Sequence, residues 1–171
     1  KNHSSKTALP SIQQKEIQDS RKTYGFRDLP WGSELVTLTD FVKLETDSGI
    51  KDVNEYKRKN DKLTLGRANL QSIVYAFWRD QFFTVTIWAE GEENFHALRD
   101  YSINQFGNNY HDDKTSQKYL WSNTLTDVML KYDENEQIGV LWMRSKKIDR
   151  LCKLTKLNVP SSYRRWTKSH H

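Results

Sequence analysis

Two stretches of the chain hold side chains whose types and spacing suit metal or acid–base chemistry, and the first contains Glu92, Glu93 and His96. In a helix, either carboxylate would meet the imidazole of His96, because residues three and four apart share a face. A Glu-x-x-His step binds metal in di-iron helical bundles, which need a second helix of the same kind. The sequence predicts no such second helix. The pattern therefore favours a solvated helix start, with His96 as a weak metal candidate.

The second stretch is Tyr-His-Asp-Asp at 110–113, which offers a phenol, an imidazole and two carboxylates. Calcium loops need oxygen ligands at regular steps and usually a later glutamate. Here Lys114 follows instead. We interpret the stretch as an exposed loop, and we keep His111 and Asp112 as weak candidates for a metal or catalytic role.

Motifs of the common enzyme classes are absent from the sequence. It has no glycine-rich phosphate loop, no Gly-x-Ser-x-Gly and no His-Glu-x-x-His. The single cysteine, Cys152, excludes an internal disulfide, and its apolar neighbours Ile148 and Leu151 indicate a semi-buried position. A catalytic thiol needs a positioned histidine, which the sequence does not supply. We expect a protein that is not an enzyme and uses no cofactor; the alternative is a hydrolase with a site near His96 or His111.

The C-terminal part of the chain is strongly basic. From Arg144 onwards it has nine Lys and Arg against one acid, Asp149, whereas the rest of the chain has 18 basic and 21 acidic residues. The formal net charge of +5 therefore belongs to this tail. Such a segment can bind an acidic protein, an anionic membrane surface or nucleic acid, and the acidic body argues against a broad phosphate-binding surface. The candidate contact residues are Lys146, Lys147, Arg150, Lys153, Tyr163, Arg164, Arg165 and Trp166.

Hydrophobic periodicity predicts the elements that position these residues. Two β-rich runs around Arg79-Asp80-Gln81 predict a central hairpin, apolar on both faces. A stripe at helical spacing predicts a helix at about 93–106, ended by Gly107. Shorter strands are expected before the hairpin, two of them around a turn at Asn60-Asp61, and three more after the helix.

This order predicts an α+β fold: a twisted, mainly antiparallel sheet built from hairpins, packed by one main helix, with a basic helical C-terminal tail. We expect a polar N-terminal extension at 1–23, a single domain at 24–144 and the basic extension at 145–171. The first residue, Lys1, indicates processing or trimming of the chain, and the closing His170 and His171 suit either a native end or a purification tag. No run of about 18 apolar residues suits a membrane span.

The stretch "YGFRDLPWGSEL", Tyr24 to Leu35, joins the polar leader to the first strand. Pro30 biases the residue before it towards extended backbone. We expect Phe26 and Trp31 to close one end of the sheet with apolar side chains, and Arg27 to fix the loop. The alternative is that Arg27 and Trp31 contact a partner.

With Phe26-Arg27 and Trp31-Gly32, with the hairpin, and with Phe106-Gly107 after the helix, the sequence resembles a group of small, mostly exported, uncharacterised bacterial proteins. Their opening motif is Phe-Arg-Gly-x-x-Trp/Phe-Gly, and Asp28 stands where that motif has glycine. The resemblance covers roughly 24–144 and implies an exported bacterial protein, in the periplasm or at the cell surface. More loosely, the arrangement is similar to small envelope lipoproteins that act as scaffold partners. A cytoplasmic location is the alternative if the first residue is not a cleavage site.

The function expected from these features is a non-catalytic interaction module or accessory subunit of a bacterial envelope assembly. Its partners would be protein subunits of that assembly, reached by the two termini, with an anionic membrane surface as a further contact. A nucleic-acid-binding protein that uses the basic tail is the alternative from a different class.

Overall fold

The computed structural model describes residues 24–113 and 115–157. The two helices are α1 (Glu92–Phe106) and α2 (Lys146–Leu157), and a 3-10 turn spans Leu35–Thr37. The strands are β1 (Gly25–Phe26), β2 (Leu29–Pro30), β3 (Phe41–Lys43), β4 (Val53–Arg58), β5 (Thr64–Leu65), β6 (Ala68–Asn69), β7 (Ser72–Trp78), β8 (Gln81–Glu90), β9 (His111–Asp113), β10 (Lys118–Ser122), β11 (Thr126–Asp133) and β12 (Ile138–Ser145).

Eight of these strands form one sheet in the order β3-β4-β7-β8-β12-β11-β10-β9. Every neighbouring pair is antiparallel. The prediction of an α+β fold with a mainly antiparallel sheet is confirmed, and α1 is the predicted main helix. Of the predicted basic tail, the structure describes α2, and the remainder lies outside the described residues, as does the predicted extension at 1–23.

The two short strands predicted around Asn60-Asp61 are β4 and β5, and they do not pair with each other. Strand β4 pairs with β3 and β7, and β5 pairs only with β6. Asn60 does adopt the left-handed backbone of a turn, with φ of 54°. The turn therefore exists, but the chain leaves the sheet there and builds a separate small hairpin.

The predicted central hairpin is β7–β8, at the third and fourth positions of the sheet. Its two turn residues, Arg79 and Asp80, have φ values of 47° and 62°. Positive φ at both positions is the type I′ turn, whose twist matches that of paired strands. The register shifts between Ala76 and Phe77, which is a bulge. Close to this bulge, the consecutive residues Phe82 and Phe83 belong to two different core clusters.

Helix α1 covers one face of the sheet, called the inner face. Its Phe95 and Leu98 are 1% and 0% exposed and pack with Ile87, Leu130 and Leu141 of three central strands. Complete burial of such a side chain stabilises the fold by roughly 1.5–3 kcal/mol. The helix lies close to β12, because a Cβ at Gly139 would stand 3.1 Å from Cβ of Phe95.

Helix α2 packs on the opposite, outer face and covers only part of it. Ile148 and Cys152 are buried with Ala76, Trp78 and Phe83, beside the turn of the β7–β8 hairpin. In β11 and β12 the inner-face positions are buried, while the outer-face positions are half-buried or exposed. The sheet therefore has one fully covered face and one partly open face.

Candidate functional site

The opening loop is held in place by Arg27. Its guanidinium forms an ion pair with Asp61 and donates hydrogen bonds to the carbonyls of Lys62 and Thr64, at 2.6 and 3.0 Å. The loop itself is tight, since a Cβ at Gly25 would stand 2.1 Å from the carbonyl oxygen of Leu29. Arg27 thus joins the β1–β2 turn to the segment that precedes β5.

Below this ion pair lies a buried phenol. The hydroxyl of Tyr75 donates a hydrogen bond to the second carboxylate oxygen of Asp61 at 2.7 Å, and Tyr75 is 0% exposed. Burial, and then the bond to Asp61, raise the pKa of Tyr75 above its usual value. The phenol therefore stays protonated at neutral pH and acts as a donor to Asp61, not as a base or nucleophile.

A second ion-pair group lies on the same side. Arg58 binds Asp28 with two hydrogen bonds of 2.6 and 2.9 Å and reaches Asp40 through Nε at 2.5 Å. The hydrogen bond from Arg58 lowers the pKa of Asp28, so this carboxylate is ionised at neutral pH. The two groups border a cleft of about 420 Å³, lined by Arg27, Asp40, Arg58, Lys59, Asn60, Asp61, Lys62 and Thr64.

The cleft lies between loops that ion pairs connect, and its described residues do not form a catalytic set. Its arginines are bound to carboxylates, and the nearby tyrosine is locked as a donor. A nucleophile needs an adjacent base within hydrogen-bond reach, which these pairs do not provide. These ion pairs hold the opening loop, residues 24–35, against β4 and β7.

Trp31 follows β2 and is half-buried near the start of β8. Its ring stands 4.8 Å from that of Phe82, and its Nε1 donates a hydrogen bond to Oγ1 of Thr126 at 2.8 Å. Thr126 is 0% exposed. Trp31 therefore connects the opening loop to both β8 and β11, two strands that the sequence separates widely.

The metal candidates lie on two different elements, α1 and β9. His96 and Glu92 are 3.7 Å apart on the first turns of α1, and both are exposed. His111 and Asp112 lie on the edge strand β9, opposite Leu120 and Tyr119. Within the described ranges, no group of three or more His, Cys, Asp or Glu residues is placed to hold a metal ion.

Among the described basic side chains of α2, Lys146 and Lys153 are paired with acids, and Lys153 is exposed as well. Lys146 lies 3.4 Å from Asp127 and also binds the carbonyl of Asn123, and Lys153 lies 2.7 Å from Asp149. Lys147 and Arg150 are exposed. The other candidates of the tail, Tyr163, Arg164, Arg165 and Trp166, lie outside the described residues.

Asp127 links α2 to the sheet. It accepts a hydrogen bond from Ser122 at 2.7 Å and forms an ion pair with Arg144 at 2.9 Å, and Arg144 in turn reaches Asp149 of α2 at 3.1 Å. Burial alone would raise the pKa of Asp127, but these hydrogen bonds and the charge of Lys146 lower it on balance. The carboxylate is therefore ionised at neutral pH and holds the start of α2.

The feature that sequence reasoning missed is an apolar band on the outer face. Cross-strand neighbours point to the same side of a sheet. The register pairs Val74 with Thr86, Thr86 with Trp142, Trp142 with Met129, and Met129 with Leu120. Trp88 and Val140 are paired in the same way on the two central strands. The band, called the outer strip, consists of Val74, Thr86, Trp88, Leu120, Met129, Val140 and Trp142.

The outer strip is accessible among the described residues. Leu120 is 37% exposed, and the other members are half-buried. The guanidinium of Arg144 stands 4.9 Å from the ring of Trp142 and so covers it in part. In the sequence, the strip shows only as apolar residues at alternate positions of β8 and β12. These residues form one open surface because the two strands pair and because α1 covers the other face.

Comparison with known proteins finds no matching family model, no similar curated protein and no similar solved structure. In the part of the chain that is described, neither helix has the length and apolar character to cross a membrane.

Proposed function

We propose that this protein is a non-catalytic interaction module, an accessory subunit of a bacterial envelope assembly, and that it binds a partner protein through the outer strip. The observation that carries the proposal is the strip itself. Antiparallel sheets that face water alternate apolar and polar residues, whereas here tryptophan, valine and methionine hold outer positions on four adjacent strands. Contiguous apolar surface marks interaction sites, and tryptophan is enriched among the residues that dominate binding energy.

The state of the charged groups supports binding over catalysis. Arg27 is paired with Asp61, which also accepts a hydrogen bond from the protonated Tyr75. Arg58 is paired with Asp28 and Asp40. Groups arranged in this way stabilise a scaffold. A rigid scaffold beneath an apolar face is what a docking surface requires.

The basic segment supplies a second contact surface in this proposal. Lys147 and Arg150 are exposed on α2, and a basic tail that continues through Tyr163, Arg164, Arg165 and Trp166 would reach an acidic partner or an anionic membrane surface. The envelope location is supported by the resemblance at 24–144 to exported bacterial proteins.

Nucleic acid is the alternative partner for this segment. The described residues hold 18 basic against 20 acidic side chains, and part of the basic charge on α2 is engaged by Asp127 and Asp149. Gel mobility of DNA and RNA at low salt distinguishes nucleic acid from a protein or membrane partner. We expect no shift, and a shift that weakens steeply with salt would favour nucleic acid.

The test of the proposed function is co-purification from the native host with a charge placed in the strip. Thr86→Arg puts a guanidinium between Val74 and Trp142, where a partly open strand position lets the long side chain reach water. We expect the wild type to co-purify with a stoichiometric partner and Thr86→Arg to lose it at unchanged stability. Val36→Arg, at a position 85% exposed on the 3-10 turn, is the matched control. Equal recovery of the partner by both variants would reject the strip as the contact.

A further inference from the structure

The outer strip and the end of α2 belong to the same face of the sheet. Helix α2 begins directly after β12, and its buried residues Ile148 and Cys152 pack with residues of β7 and β8 and with Val53 of β4. The helix thus crosses the strands from β12 towards β4, on the side that carries the strip. The residues after Leu157 start from this face.

The chain is long enough to cover the strip. Fourteen residues, 158–171, follow α2 in the sequence. At about 3.3 Å per residue an extended segment of that length reaches roughly 46 Å. The strip runs from β7 to β10, four strand spacings, or about 19 Å. Because α2 runs towards β4, the segment starts one strand beyond the strip and must span five spacings, about 24 Å, to reach β10. Its length allows this even with a turn at Pro160.

The segment also has suitable chemistry. It carries Val159, Tyr163 and Trp166, with three basic residues and no acidic one. On the outer face, Glu90 of β8 and Asp133 of β11 both lie beside Ile138 of β12, at one end of the strip, and Lys131 is exposed beside Val140. Aromatic rings would cover the apolar strip, while the guanidiniums would reach the carboxylates at its end.

We propose that residues 158–171 lie across the outer strip in the free protein, as an intramolecular cover. The docking itself does not need an external partner. Its consequence, that a partner must displace the segment, rests on the function proposed above.

The test uses the full chain with Cys152→Ser and a nitroxide label attached at Thr167→Cys, which leaves Tyr163 and Trp166 in place. In the ¹⁵N spectrum we expect loss of the indole N–H signals of Trp88 and Trp142. The indoles of Trp31 and Trp121, which belong to the inner core cluster on the other side of the sheet, should lose a smaller fraction of their intensity. Adding Thr86→Arg should restore the two outer signals, and adding Val36→Arg should not.

Two outcomes would overturn the inference. Equal broadening of all four indoles, or of none, would mean that the segment does not rest on the strip. Broadening in a mixture of unlabelled ¹⁵N protein and labelled ¹⁴N protein would mean that a second copy is the occupant. Both measurements use the purified protein alone. A negative result therefore leaves the partner experiment with the native host to be judged separately.

Discussion

At the scale of single residues, the ion pairs of the opening loop connect segments that lie far apart in the chain. Arg27 and Asp61 are 34 positions apart, and Asp61 and Tyr75 are 14 apart. Asp61 receives a charged donor on one oxygen and a buried phenol on the other. We therefore expect this carboxylate, which no sequence motif marks, to be a main determinant of loop structure.

Tyr75→Phe tests that role. The ring still packs, but one oxygen of Asp61 loses its donor in a poorly solvated place, so we expect the free energy of unfolding to fall by about 1–3 kcal/mol. Tyr132→Phe is the control, since its hydroxyl donates to the neutral amide oxygen of Gln137 at 3.0 Å; about 0.5–1.5 kcal/mol is expected there. Denaturant titration of both variants gives the comparison, and a smaller effect for Tyr75→Phe would contradict the account.

Trp31→Ala distinguishes a structural plug from a contact residue. Because the ring packs on Phe82 and binds Thr126, we expect a loss of about 2–4 kcal/mol in unfolding free energy, somewhat below the range for a fully buried tryptophan. Trp31→Phe keeps the ring contact and should lose less. A Trp31→Ala protein of wild-type stability that no longer co-purifies with its partner would assign Trp31 to the interface instead.

At the scale of elements, α2 is anchored by two buried side chains and by the ion pairs around Asp127. Ile148→Ala should lower the free energy of unfolding by about 2–4 kcal/mol, because it opens a cavity in the outer cluster. Leu154 lies on the same helix and is 52% exposed, so Leu154→Ala should change the free energy of unfolding by less than about 0.5 kcal/mol. Equal effects, measured by urea denaturation, would mean that α2 is not docked as described.

The ion pairs at the start of α2 make stability depend on pH. The pKa of Asp127 is lowered in the folded state, so its contribution is present above the unfolded pKa and is lost as pH falls through the folded value. Wild type should therefore lose more unfolding free energy than Asp127→Asn between about pH 6 and about pH 3. The other carboxylates are the same in both proteins. Equal losses of unfolding free energy in the two proteins would mean that Asp127 does not stabilise the fold.

Local pattern was enough to predict some elements and not others. The period of two in β7 and β8 and the turn at Arg79-Asp80 predicted the hairpin, and steps of three and four predicted α1. The turn at Asn60-Asp61 could be predicted because turn propensity is local, whereas the choice of β3 and β7 as partners of β4 is made by tertiary contacts. The outer strip could not be predicted, since it depends on the pairing of β8 with β12 and on the face that α1 covers.

At the scale of the whole molecule, the sheet has a closed inner face and an open outer face. The inner face carries the main core, whereas the outer face combines an apolar strip with a short basic helix. A protein with this asymmetry presents a surface for docking, and its charged cleft holds the opening loop against β4. Function in this account depends on what covers the outer strip.

The most direct test is site-specific photo-crosslinking in the native host, with the crosslinking amino acid at Thr86 in one variant and at Leu63 in the other. Leu63 is 45% exposed in the loop before β5, beside the charged cleft. We expect a discrete adduct with a partner protein from Thr86 and none from Leu63. An adduct from Leu63 alone, or the same adducts from both positions, would contradict the claim that the outer strip is the binding surface.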